Sequence, residues 1–169
     1  MNFYLPDFYN KYKLNTKIIE LFKSHPEYFQ DNININTIYG CFPGMIWNGG
    51  RAFLGFTNIN DIKSIINTLN NKNISIRFTM TNNCINESHL NDTYCNTILD
   101  LAHNSKNGII INSPILESYL RDTYPKYKYI LSTTRCERDI NKINEACDKY
   151  DMVVIDYIDN NNFDFLNSI

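Results

Sequence analysis

Five short apolar runs constrain this chain more than any other feature, because each ends in turn residues and is followed by a segment of helical period. They read as strands at Asn34–Tyr39, Ile74–Met80, Gly108–Ile111, Tyr127–Leu131 and Met152–Ile155. The segments between them place apolar residues on one helical face: Ile62, Ile65, Ile66 and Leu69; Leu90, Tyr94, Ile98, Leu99 and Ala102; Ile115, Leu116, Tyr119 and Leu120; Ile140, Ile143 and Ala146. Strands this short and this continuously apolar belong to a parallel sheet covered on both faces. Right-handed crossovers then bring every post-strand loop to one edge. The expected fold is α/β, a five-stranded, mainly parallel sheet alternating with helices, as in an incomplete (β/α) barrel.

Local signals support the helix boundaries. Ser113-Pro114 offers a capping hydroxyl followed by proline at the first helical position. Asn60 or Asp61 opens one helix, and further helices are expected over Ser88–Asn104 and Glu137–Tyr150, with a last helical turn at Phe163–Leu166. Residues 1–32 read as an arm and a helix packing on the body, with Asn15 as the helix cap and His25-Pro26 as its end. Residues 33–169 form the partial-barrel domain, with no internal linker.

A chain of 169 residues with 43% hydrophobic and 14% aromatic content suits one folded domain. A net charge of -2 without basic runs gives no nucleic-acid signal. No stretch approaches the roughly 18 apolar residues of a membrane span. The N-terminus lacks the basic and apolar regions of a signal peptide, so a cytoplasmic location is expected. The 5 cysteines are widely spaced, with no C-x-x-C pair, and read as reduced thiols rather than as a disulfide framework or a zinc site.

The segment Ile38–Arg51, Ile-Tyr-Gly-Cys-Phe-Pro-Gly-Met-Ile-Trp-Asn-Gly-Gly-Arg, leaves the first of these strands and holds four of the 6 glycines and the single tryptophan. Such a loop lets main-chain N–H groups approach a ligand closely. In a parallel sheet, ligands bind at the carboxyl ends of the strands. That criterion selects Cys41, Asn48 and Arg51 after the first strand and Arg77, Thr79 and Thr81 at the second. It adds Asn112 and Ser113 at the third, Ser132, Thr133 and Thr134 at the fourth, and Asp156 at the fifth. Arg51, beside Gly49-Gly50, suits a carboxylate or phosphate. Arg77 reads as a site arginine, an inward ion pair with Asp156, or a sheet-edge residue. Cys41 reads as a small buried hydrophobe or as a nucleophile. The chain has no G-x-x-x-x-G-K-[ST], G-x-G-x-x-G or H-E-x-x-H motif, and its three histidines lie away from the strand ends, so no metal site is expected.

The order Ile38-Tyr39-Gly40, Gly49-Gly50-Arg51, Asn112-Ser113-Pro114 with Ile-Leu-Glu-Ser-Tyr-Leu-Arg after it, Tyr124-Pro125-Lys126-Tyr127-Lys128 and Ser132-Thr133-Thr134 resembles the N-terminal half of the collagenase-like peptidase family. The resemblance covers roughly residues 33–158 and implies a (β/α) barrel of the kind whose relatives include iron–sulfur-dependent enzymes that modify RNA or quinone precursors. The cluster-binding cysteines of that family lie in its later half, and nothing here matches a four-cysteine set, so no cluster is carried over and the cofactor is left open. An eight-unit barrel takes about 250 residues; a shorter sheet leaves an unpaired edge that self-association, as a dimer, or the N-terminal arm would cover.

Two functions follow from the residues. In the first, a small polar or anionic ligand lies over the strand ends, held by Asn48, Arg51, Arg77, Asn112 and Thr133, with Asp156 and Cys41 as candidate catalytic groups. In the second, the chain is a non-catalytic oligomeric or structural module, a truncated relative of a barrel enzyme. The residues define a place for a site and leave the reaction open.

Overall fold

The computed structural model describes residues 1–50 and 54–169. Its sheet has six strands, not five, in the order β1 (Asn2–Pro6), β2 (Asn34–Gly40), β3 (Ser75–Met80), β4 (Gly108–Ile111), β5 (Lys128–Leu131) and β6 (Met152–Val153). All five pairings are parallel. The additional strand is the stretch expected as an arm. It lacks a clean alternation because it is an edge strand, with a register irregularity between Phe3 and Tyr4, and Tyr4, Leu5 and Pro6 are all half-buried.

Sequential strand order with right-handed crossovers places the helices on one face, where a sheet covered on both faces was expected. The sheet curls into a half-barrel. Its convex, helix-covered face carries Ile38, Ile76, Phe78, Met80, Ile109 and Ile111, all fully buried. Each such side chain contributes roughly 1.5–3 kcal/mol by leaving water. Phe78 anchors an aromatic cluster with Phe8, Phe42 and Tyr127 at centroid distances of 5.6, 6.5 and 6.3 Å.

The α-helices after the first begin where side chains satisfy their first N–H groups. Asn58 caps α2 (Ile59–Asn71), and Ser113 caps α4 (Pro114–Thr123) as expected. The long helix expected over Ser88–Asn104 is divided into a 3₁₀ turn, Glu87–His89, and α3 (Thr93–Ala102), because Asp92 accepts a hydrogen bond from Cys95 N at 2.7 Å and starts a new helix. Asp139 likewise delays α5 to Ile140–Lys149, and α6 spans Phe163–Leu166. In α1 (Tyr12–Ser24), Asn15 is not the cap. It is buried inside the first turn and donates to the carbonyls of Pro6 and Asp7 at 2.9 and 3.2 Å, tying the helix to the end of β1.

Asn107 performs a similar service before β4. Its amide donates to Ala102 O and Asn70 Oδ1 and accepts from Ile76 N and Asn70 Nδ2, all within 3.1 Å. Complete pairing is what makes a fully buried amide tolerable in an apolar core. Among the described residues, no helix is long and apolar enough to cross a membrane.

Candidate functional site

The register defines what faces the concave side. One row crosses Tyr39, Arg77, Gly108 and Lys128; the next crosses Thr79, Ile110, Ile130 and Met152. Barrel strands tilt, so a row that begins at the carboxyl end descends toward the amino end as it crosses the sheet. Two cavities result, one at each end.

The carboxyl-end cavity has a volume of about 460 Å³. Tyr4, Pro6, Tyr39, Ile110 and Val154 give it an apolar body, and Asp7, Cys41, Asn48, Thr79, Thr81, Ser132, Thr133 and Thr134 give it a polar rim. Each rim residue follows or ends a strand, the position where chain direction brings loops together. Asp7 is the one charged side chain among the described lining residues, and its carboxylate accepts from Asn10 N at 2.9 Å.

The glycine-rich loop is fixed rather than open. Trp47 is fully buried, donates from its indole to His89 O at 2.8 Å and packs edge-on against Tyr119. Gly49 lies so close to β3 that a Cβ there would be 2.2 Å from Thr81 O. This approach holds Asn48 over the cavity, where its Oδ1 accepts from Thr79 Oγ1 at 3.0 Å and from Gly50 N at 3.3 Å.

Cys41, Asn48 and Thr133 line this one cavity. Burial pushes the Cys41 thiol up to about 11; a hydrogen bond with Thr79 opposes the rise and Asp7 adds to it. Thr133 Oγ1 donates to Ile155 O at 2.9 Å, linking the ends of β5 and β6.

Three expected site residues lie elsewhere. Asn112 borders a shallower hollow beside α4, with its amide donating to Asn83 Oδ1 at 2.7 Å. Asp156 is buried and caps a 3₁₀ turn by accepting from Ile158 N at 2.9 Å. Arg77 faces the opposite, amino-terminal end and donates to Lys106 O at 2.8 Å; it makes no ion pair with Asp156, one of the three alternatives read from the sequence. Arg51 falls outside the described residues; Gly50, its neighbour in the chain, lines the carboxyl-end cavity.

Tyr4, Asp7 and Tyr39 are lining residues that sequence reasoning missed. Asp7 is the first residue after β1, so the post-strand criterion finds it once Asn2–Pro6 is read as a strand. Among the described residues, no group of three or more His, Cys, Asp or Glu side chains is placed to hold a metal ion.

A sequentially ordered parallel sheet with a cavity over its carboxyl edge defines a half-barrel of the (β/α) class. Comparison with protein-family models and with curated proteins gives no match. In fold, the chain is similar to the solved structure of the U32 peptidase Mk0906, with a TM-score of 0.56 and 16% identity over 86% of this chain and 68% of that one. At this identity the likeness concerns the fold.

Proposed function

We propose that the protein is a small-molecule-binding half-barrel whose ligand occupies the carboxyl-end cavity. The observation that carries this reading is the convergence of Asp7, Cys41, Asn48 and Thr133 on one cavity of about 460 Å³, within the size range of small-molecule sites. An apolar ligand body rests between Tyr4, Tyr39, Ile110 and Val154, and a polar head meets the hydroxyl and amide groups of the rim. Asp7 favours a neutral or cationic head. An anionic head, the other form expected from the sequence, depends on Arg51.

Binding is better supported than catalysis. The Cys41 thiol is held protonated at neutral pH by burial, and the Asp156 carboxylate is engaged with Ile158 N. Five unpaired cysteines accord with a reducing, cytoplasmic setting. Self-association is a further part of the reading, because β1 and β6 each pair on one side only; light scattering that gives a monomer at all concentrations removes it.

A thermal-shift panel of neutral, cationic and anionic metabolites tests the ligand reading, since a ligand that binds the folded state raises stability by mass action. Stabilisation by neutral or cationic compounds, lost in Asp7→Asn, is expected. Loss in Arg51→Ala instead identifies an anionic ligand. No stabilisation by any class, or stabilisation that survives filling of the cavity in Cys41→Phe, overturns the proposal.

A further inference from the structure

The second cavity, at the amino-terminal end of the concave face, holds about 320 Å³ and has a different character. Arg77 lies within it, 7% exposed, an uncommon position for a guanidinium that makes no ion pair with a described carboxylate. Its Nη1 donates to Lys106 O at 2.8 Å, and its remaining N–H groups make no hydrogen bond to a described residue. They are not sealed in the core either, since Thr57 Oγ1 is the sole fully buried unpaired side-chain polar atom among the described residues. The free donors therefore face the cavity.

The surroundings accommodate this arrangement. Gly108, beside Arg77 in the register, has no side chain, and a Cβ there would stand 2.8 Å from Arg77 Nη1. Lys128, next in the same row, brings a second cation to the cavity, and its ammonium makes no ion pair or hydrogen bond to a described residue. Asp151 is the one acid among the described lining residues, and its Oδ2 accepts from Tyr129 N at 2.8 Å rather than from Arg77. The described lining thus carries two cations against one anion. Burial works against the charge on Arg77 and lowers its pKa, with Tyr4 and Asp151 opposing that fall.

We propose that this cavity is a second binding site, which takes a small oxyanion, a carboxylate or phosphate group, between Arg77 and Lys128. A guanidinium with neighbouring free N–H groups matches the paired oxygens of either ligand in a planar fork. The anion supplies the hydrogen-bond acceptors and the countercharge that the protein does not place there. Among the described lining residues the site shares only Tyr4 with the carboxyl-end cavity, and it lies at the opposite end of the sheet.

Isothermal titration with inorganic phosphate and, separately, with acetate at constant ionic strength tests the proposal. Saturable one-to-one binding of either anion is expected, and which of the two binds identifies the source of the group. Arg77→Met weakens binding by about tenfold, the scale of a charge-assisted hydrogen bond. Lys128→Ala, an exposed charge, weakens it by about threefold. Asp151→Asn keeps an oxygen for Tyr129 N and removes the repelling charge, so it tightens binding. If Arg77→Met does not fold, the opposite signs of Lys128→Ala and Asp151→Asn decide the matter. No saturable binding of either anion, or equal affinity in wild type, Lys128→Ala and Asp151→Asn, overturns the site.

Discussion

The hydroxyl of Tyr4 lies 3.7 Å from the sulfur of Met152, so the first and sixth strands meet through side chains although they do not pair in the sheet. Six strands curl far enough for their edges to approach across the concave face. Tyr4 lines both cavities and forms the partition between them. Half-buried, it contributes less than the roughly 3–5 kcal/mol of a fully buried aromatic, so Tyr4→Ala is expected to destabilise by about 2 kcal/mol. Tyr4→Phe keeps the ring and loses a weak O–H···S contact, for about 0.5 kcal/mol or less. Urea unfolding of the two variants measures the difference. Equal losses would show that the hydroxyl, not the ring, joins the edges.

Cysteine chemistry separates the binding reading from the catalytic one. Cys41 and Cys95 are buried, whereas Cys84, Cys136 and Cys147 are exposed. Burial raises both buried thiols, Cys41 to about 11, and the thiolate is the reactive form. Iodoacetamide at pH 7.5 is expected to alkylate the three exposed residues and leave Cys41 and Cys95 unmodified until the protein unfolds. Peptide mapping by mass spectrometry reads this directly. Rapid modification of Cys41 in the folded protein would restore it as a nucleophile.

The parallel sheet was legible because β4 and most of β5 are continuous apolar runs, while β2 and β3 alternate apolar residues on their buried, helix-covered side with polar ones on the other. The bounds of Gly108–Ile111 are legible in the sequence for that reason. β1 was not legible, since an edge strand needs no such run and its Pro6 reads as a break. The missing strand concealed Tyr4, Pro6 and Asp7 of the cavity wall. Arg77 shows the other limit. Its alternation with Ile76 and Phe78 places it on the concave face, but strand tilt decides which end of that face it reaches, and tilt is a property of the closed sheet.

Glu117 gives the fold a pH dependence. Burial alone would push its carboxyl up, but hydrogen bonds from Tyr150, Lys149 and Arg121 together outweigh that and hold it below the usual carboxylate value. The Tyr150 hydroxyl donates to Oε2 at 2.5 Å, and Arg121 Nε donates to Oε1 at 2.9 Å. A carboxyl with a depressed folded-state pKa contributes stability that is fully present above its unfolded value, 4.5, and is lost as pH falls through the folded value. The melting temperature is therefore expected to fall as pH drops below about 4.5. In Glu117→Gln that fall is shallower, because no proton is taken up there on unfolding. An unchanged slope in the variant would assign the acid sensitivity to other carboxylates.

Gly49 connects the loop to the site. With its Cα packed on β3, an added methyl would meet Thr81 O at 2.2 Å and Asn82 N at 2.5 Å, backbone atoms that cannot rotate away. The loop must shift, and with it the bond from Asn82 N to Trp47 O at 3.1 Å and the one from Thr79 Oγ1 to Asn48 Oδ1. Gly49→Ala is expected to cost about 1–3 kcal/mol, the usual scale of overpacking, and to weaken any ligand of the carboxyl-end cavity. Gly50→Ala is the control for stability alone, since Gly50 itself lines the cavity; among the described residues the nearest atom to its Cβ, Asn48 Oδ1, is 3.5 Å away, an ordinary contact. Phosphate or acetate binding at the amino-terminal end should be the same in both variants, because none of the described loop residues lines that cavity. Denaturation and ligand titration on the pair separate a loop held by backbone contact from one that tolerates displacement. If the two variants are equally stable, the close approach of Gly49 does not position Asn48.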